Sequence, residues 1–125
     1  MSGAQIKELH RIQIQYYGGS YGLRDSGALE AAVRRPAMTF GGEDLYPDIP
    51  AKAAALLHSI VIRHPFIDGN KRVGAHAALV FVKINGWNIQ ITEEELGSVT
   101  LAAASSNMDI EPLTIWFRQR ILPGS

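Results

Sequence analysis

At 125 residues the chain is near the commonest size for one domain, long enough to close a single core without disulfides or structural metals and too short for two. Its twelve basic and twelve acidic residues cancel, six of each on either side of position 62, so a nucleic-acid binder with its cationic excess is disfavoured. The absence of cysteine excludes a disulfide scaffold and thiolate chemistry, and with no leader-like start or membrane-length apolar run the expected location is cytoplasmic, with no membrane partner.

In residues 5–17, Ile6, Leu9, Ile12, Ile14 and the Tyr16–Tyr17 pair recur at nearly helical spacing, and Gly18-Gly19 ends that predicted helix. Asp25 or Ser26 caps a second helix that Pro36 stops. Residues 39–50, TFGGEDLYPDIP, show neither helical nor strand period; they read as an ordered loop or short flap pinned by Phe40, Leu45 and Tyr46, or as a plain connector.

Residues 51–63, apolar around most of their circumference, predict a buried helix. Residues 70–85 repeat that character, with Val73, Ala77, Val80, Phe81 and Ile84 on one face. Gly74 in mid-helix costs about 0.8 to 1.0 kcal/mol relative to alanine, which implies close helix packing. Residues 87–91 alternate briefly, Thr92 with Glu95 forms a capping box for a helix to about Ala104, and Ser105-Ser106-Asn107 breaks it. Residues 109–121 predict a last amphipathic helix anchored by Ile115, Trp116 and Ile121. The fold class is all-α, with two buried helices flanking a polar nonapeptide.

That nonapeptide, HPFIDGNKR from His64 to Arg72, concentrates the chemistry. Pro65 disfavours helical backbone at His64, so the preceding helix should stop there and present the imidazole at its rim. Phe66 and Ile67 anchor the loop in the core. Asp68-Gly69 favours a turn and Asn70 suits an N-cap, so the free N–H groups of Gly69, Asn70, Lys71 and Arg72 converge at a helix N-terminus beside two cations, which makes a phosphate site. Asp68 is placed to hold magnesium, which takes one or two carboxylates plus phosphate oxygens. His64, with an ordinary pKa of about 6.5, suits a general base. Taken singly each residue has an ordinary structural explanation; together they describe phosphoryl or nucleotidyl transfer to a hydroxyl. His10, His58 and His76 read as structural, with no metal-ligand spacing.

HPFIDGNKR resembles the signature of the Fic/Doc family, and the lysine after Asn70 is similar to the Doc branch. The resemblance extends through LHRIQIQYYGG, GLRDSGALEAAV, FGGEDLYPD and ALVFVKINGW, from about Ile6 to Ile121. It implies a single domain over residues 1–125, a compact bundle of about six helices with the active-site loop between the two central ones. In the adenylylating branch the pattern is HxFx[DE]GNGRxxR; His64, Phe66, Asp68, Gly69, Asn70 and Arg72 match it, whereas Lys71 replaces a glycine and Ala75 the last arginine.

In the Doc branch these departures accompany an inverted ATP and kinase activity on a threonine of elongation factor Tu. The resemblance therefore implies a toxin of a toxin–antitoxin pair, an ATP- and magnesium-dependent Ser/Thr kinase acting on a translation factor. Its implied catalytic set is His64, Asp68, Asn70, Lys71 and Arg72, and an antitoxin helix would occupy a groove near the site. The alternatives are a Fic-type adenylyltransferase and a non-catalytic nucleotide-binding or interaction module. Ser26 to Ala31, SGALEA, approaches the inhibitory [ST]xxxE[GN] motif but ends in alanine and reads as structural.

Overall fold

Side chains just ahead of the helices decide where they begin. In the computed structural model, which describes residues 1–124, Ser2 caps α1 (Gly3–Tyr17), Asp25 caps α2 (Ser26–Arg34) and Asp48 caps α3 (Ile49–Arg63), each accepting a first-turn backbone N–H. After α4 (Asn70–Ile84), the Thr92–Glu95 capping box opens α5 (Glu93–Ala104) as its sequence pattern requires, and Asp109 caps α6 (Ile110–Arg118). Only α4, among these six, starts without a side-chain cap.

The helices enclose one core, and α3 runs through it, packed against α2, α4, α5 and α6. Its Ala53, Ala54, Leu57, Ile60 and Val61 are fully buried among Leu29 and Ala32 of α2, Val73 and Val82 of α4, and Leu113 and Phe117 of α6. At Gly74 the two central helices come too close for a side chain: a Cβ there would stand 3.0 Å from Val61 Cγ1 and 3.3 Å from Ile60 Cγ2. Close packing offsets the helix-propensity cost of that glycine.

Several expectations need correcting. Residues 39–50 contain a tight antiparallel hairpin, β1 (Thr39–Phe40) with β2 (Glu43–Asp44), turning at Gly41-Gly42, and α3 begins before Pro50. The hairpin is too short to show a period. Its base is tied down by Arg35, which donates from Nε to the Tyr46 hydroxyl at 3.0 Å and from Nη1 to Ser59 Oγ at 3.0 Å. Phe40, expected to pin it, is 82% exposed.

The last helix ends at Arg118, and Ile121–Pro123 instead form β4, paired antiparallel with β3 (Trp87–Ile89). Ile121 is therefore a strand residue opposite Ile89. The buried stripe of α1 is Ile6, His10, Gln13 and Ile14, leaving Tyr16 and Tyr17 exposed, and Ile84 of α4 is also exposed. None of the described helices is long and apolar enough to cross a membrane.

Asp48 does more than cap α3, since it also accepts from Arg118 Nη2 at 2.8 Å and so ties α6 to the start of the central helix. Burial works to raise its carboxyl pKa, but the Ala51 N–H and the Arg118 guanidinium outweigh that and hold it below the usual value. Its contribution is present above the unfolded pKa and is lost as pH falls through the lower folded one. Asp48→Ala is expected to destabilise by about 1 kcal/mol, a fall in Tm of roughly 3–6 °C. Asp48→Asn, which keeps the capping oxygen, should lose less. Thermal melts at neutral pH check both, and equal losses would refute the capping account.

Candidate functional site

Pro65 ends α3 as its ring requires, and the residue before it takes an unusual shape. His64 is left-handed, with φ 51° and ψ 62°, and its N–H donates to the Ile60 carbonyl at 3.1 Å. For a residue other than glycine that conformation costs of order 1–2 kcal/mol. Arg24 holds it: Nε donates to the His64 carbonyl and Nη2 to the Arg63 carbonyl, both at 2.6 Å. The arginine thus satisfies two carbonyls that α3 leaves unpaired. His64 itself is exposed, and no described residue hydrogen-bonds its ring.

The loop that follows lies along the segment joining α1 to α2. The N–H groups of Arg24 and Asp25 donate to the Pro65 carbonyl at 2.7 and 3.0 Å, and that of Ile67 to the Gly22 carbonyl at 3.1 Å. Phe66 is the core anchor expected of it, 2% exposed, with its ring stacked flat on His10 at 3.9 Å between centroids. Ile67 is not; it is 59% exposed and covers Gly22. Proximity to the α1–α2 segment takes the place of burial there.

Asp68 is gripped at both ends. Its carbonyl accepts from His10 Nε2 at 2.7 Å, while Oδ2 accepts the Ser20 N–H at 3.1 Å and Oδ1 the Gly69 N–H at 2.9 Å. Gly19 passes so close that a Cβ on it would stand 2.6 Å from Oδ2. Each carboxylate oxygen accepts one of these bonds and has further lone-pair capacity. No group of three His, Asp or Glu suited to a metal occurs among the described residues. A single carboxylate fits magnesium that brings phosphate oxygens and water as its other ligands.

Gly69, at φ 76°, is the N-cap of α4. Asn70, expected there, is the first helical residue. Its side chain turns back, accepting the Phe66 N–H at 3.0 Å and donating to the Phe66 carbonyl at 2.9 Å, so it braces the loop. With the Gly69 N–H taken by Asp68, three of the four anticipated donors remain: no described acceptor bonds the backbone N–H of Asn70, Lys71 or Arg72. Lys71 and Arg72 are exposed, and the Arg72 guanidinium lies 4.2 Å over the Tyr17 ring. An N-terminal positive dipole end flanked by two cations attracts anions.

Beside these cations a groove of about 410 Å³ opens along α4 and α5, lined by Tyr17, Lys71, Arg72, Ala75, Leu96 and Leu101 among others. His64 and Asp68 do not line it, so the loop presents its cations toward the groove and the other two outside it. Of the other two histidines, His58 lies away from this groove and His76 is among its lining residues. His58 is pushed below its usual pKa by burial and then by the charge of Arg35, against the pull of Asp109. His76 Nδ1 lies within hydrogen-bond distance of both the Gln13 side-chain amide, at 2.5 Å, and the Arg72 carbonyl, at 3.0 Å.

The sequence reading missed the support that four residues give the site loop: His10, Gly19, Ser20 and Arg24. Arg24 and Ser20 carry no signal, because their bonds join segments 39 to 48 residues apart. For His10 a signal existed, since it sits with Ile6, Gln13 and Ile14 at the helical spacing of a buried stripe, and a histidine there needs a polar partner.

Residues 1–82 match the model of the Fic/DOC family. The chain is 50% identical over 70 residues to Toxin Doc of Mycolicibacterium smegmatis, a match covering 56% of this chain and 54% of that protein. It is 29% identical over 119 residues to Protein kinase doc of Escherichia phage P1, covering 95% of this chain and 93% of that one. It thus spans about half the length of the first relative and nearly all of the second.

Proposed function

The chain belongs to the Fic/Doc family, and we propose that it is a Doc-like toxin that transfers the γ-phosphate of ATP to a hydroxyl, a threonine by analogy, of a translation factor such as elongation factor Tu. The observation carrying this reading is the uncapped start of α4, where the N–H groups of Asn70, Lys71 and Arg72 and two side-chain cations stand one loop away from His64. The similarity to relatives named as a toxin and as a protein kinase supports it.

In this reading His64 takes the proton from the attacking hydroxyl. Lys71, Arg72 and the free N–H groups hold the phosphates and stabilise charge on the transferring group. Asp68 is the residue that would hold magnesium, which when bound offsets phosphate charge. An antitoxin segment, folded as a helix, fits the groove of about 410 Å³ along α4 and α5, whose apolar wall includes Leu96 and Leu101.

Incubation with translation factors and ATP labelled at the γ- or the α-phosphate tests the reaction. Transfer of γ-label supports kinase activity, and transfer of α-label replaces it with adenylylation. Growth arrest on expression, rescued by the antitoxin, tests the biological role.

Lys71 is the position on which kinase and adenylyltransferase divide. In this reading its side chain takes the space that a glycine would leave for an α-phosphate and supplies a charge for a terminal one. Lys71→Gly is expected to lower γ-phosphate transfer at least about tenfold, the loss of one hydrogen bond to a charged group. Some α-label transfer should appear. Unchanged transfer in rate and kind would refute this account of the lysine.

A further inference from the structure

His10 is a buried imidazole, 4% exposed, placed in α1 and bonded to a residue 58 positions away. It makes two contacts with the site loop. Its ring lies flat on Phe66, 3.9 Å between centroids and 8° between planes, and its Nε2 is 2.7 Å from the Asp68 carbonyl. A carbonyl only accepts, so Nε2 carries the proton.

The consequence lies at α4. Aspartate is among the strongest N-caps, and here it directly precedes the cap position, yet α4 has no side-chain cap. Both ends of Asp68 are engaged elsewhere, the carbonyl by His10 and Oδ2 by the Ser20 N–H. With those contacts in place, neither the carbonyl nor the carboxylate bonds the N–H groups of Asn70, Lys71 or Arg72.

We infer that His10 is a positioning residue: by donating from Nε2 to the Asp68 carbonyl beneath a stacked Phe66, it keeps Asp68 from capping α4 and so leaves the helix N-terminus open to the phosphates. This rests on the reading of that terminus as the phosphate site. The device is separable into a bond and a stack. Glutamine at position 10 retains an N–H near the place of Nε2 and loses the stack; phenylalanine retains the stack and loses the donor.

Three measurements test it. In the wild-type protein, ring ¹⁵N shifts should place the His10 proton on Nε2; a proton on Nδ1 alone overturns the inference. In His10→Phe, amide exchange at Lys71 and Arg72 should slow about tenfold as Asp68 turns to cap the helix, and kcat for phosphate transfer should fall about tenfold, within the range that small misplacements produce. His10→Gln should stay near wild type in both.

Wild-type exchange at Lys71 and Arg72 in a folded His10→Phe variant overturns the inference. If that variant does not fold, His10→Gln decides, because a folded glutamine variant with slowed exchange and lost turnover is equally fatal to it. Should the wild-type protein transfer no label while the exchange pattern changes as expected, the kinase reading fails and the positioning role stands.

Discussion

His64→Ala is expected to abolish toxicity and to reduce phosphate transfer by about 10²- to 10⁴-fold, the usual worth of a positioned general base, with little change in stability. The side chain is exposed and bonded to nothing among the described residues, so removing it leaves no cavity and no unpaired partner. What holds this position is backbone: Pro65 after it, and the Arg24 guanidinium on the carbonyls of residues 63 and 64. Alanine keeps all of that, although it is slightly less at ease than histidine in left-handed backbone. His64→Asn, which tolerates that conformation well, controls for the difference. A thermal melt within a few degrees of wild type, together with lost transfer of γ-label, is the expected pair of results. A fully toxic His64→Ala variant would sink both the kinase and the adenylyltransferase readings.

Arg24→Ala would test the same backbone from the other side, and the contrast between these two residues explains what was legible. His64 was legible because its signal is local: a histidine before proline, at the end of an apolar helix and ahead of an Asp-Gly turn. The central helices were legible for the same reason, their apolar residues recurring over four turns. The hairpin at residues 39–44 was not, since two-residue strands carry no period. Nor was the pairing of Ile121–Pro123 with Trp87–Ile89, a contact between distant segments that ends the last helix early.

Within the site, the division runs between residue identity and residue role. Asn70 was expected to cap its own helix, and the propensity argument was sound, but tertiary context won. The loop needed its backbone at Phe66 satisfied, and Asn70 is the side chain four residues on that does so with both its oxygen and its nitrogen. The cap position then fell to Gly69, which offers no side chain, and three N–H groups were left free. The open start of α4 is therefore a consequence of how the loop is braced, by Asn70 within it and by His10, 58 residues from Asp68.

That dependence makes Gly19 an exacting position outside the loop. Gly19→Ala is expected to cost about 1–3 kcal/mol, since φ is +114° there and side chains other than glycine rarely adopt it. Stability is the lesser part of the effect. A Cβ at this position would stand 2.6 Å from Asp68 Oδ2 and 3.0 Å from Ile14 Cδ1, so the carboxylate must swing away and give up the Ser20 N–H. A displacement of about 1 Å at a catalytic group can cost 100-fold in rate, and that is the loss of phosphate transfer expected here.

Gly18→Ala is the matched control. Its φ of +83° imposes comparable backbone strain, but nothing lies within 4 Å of the added Cβ. The Gly19 variant should melt a few degrees lower, having also lost the Ser20 bond to Asp68, and the two should differ about 100-fold in transfer. If they lose activity equally, strain in the α1–α2 segment accounts for the whole effect, and the position of the Asp68 carboxylate is not what Gly19 protects.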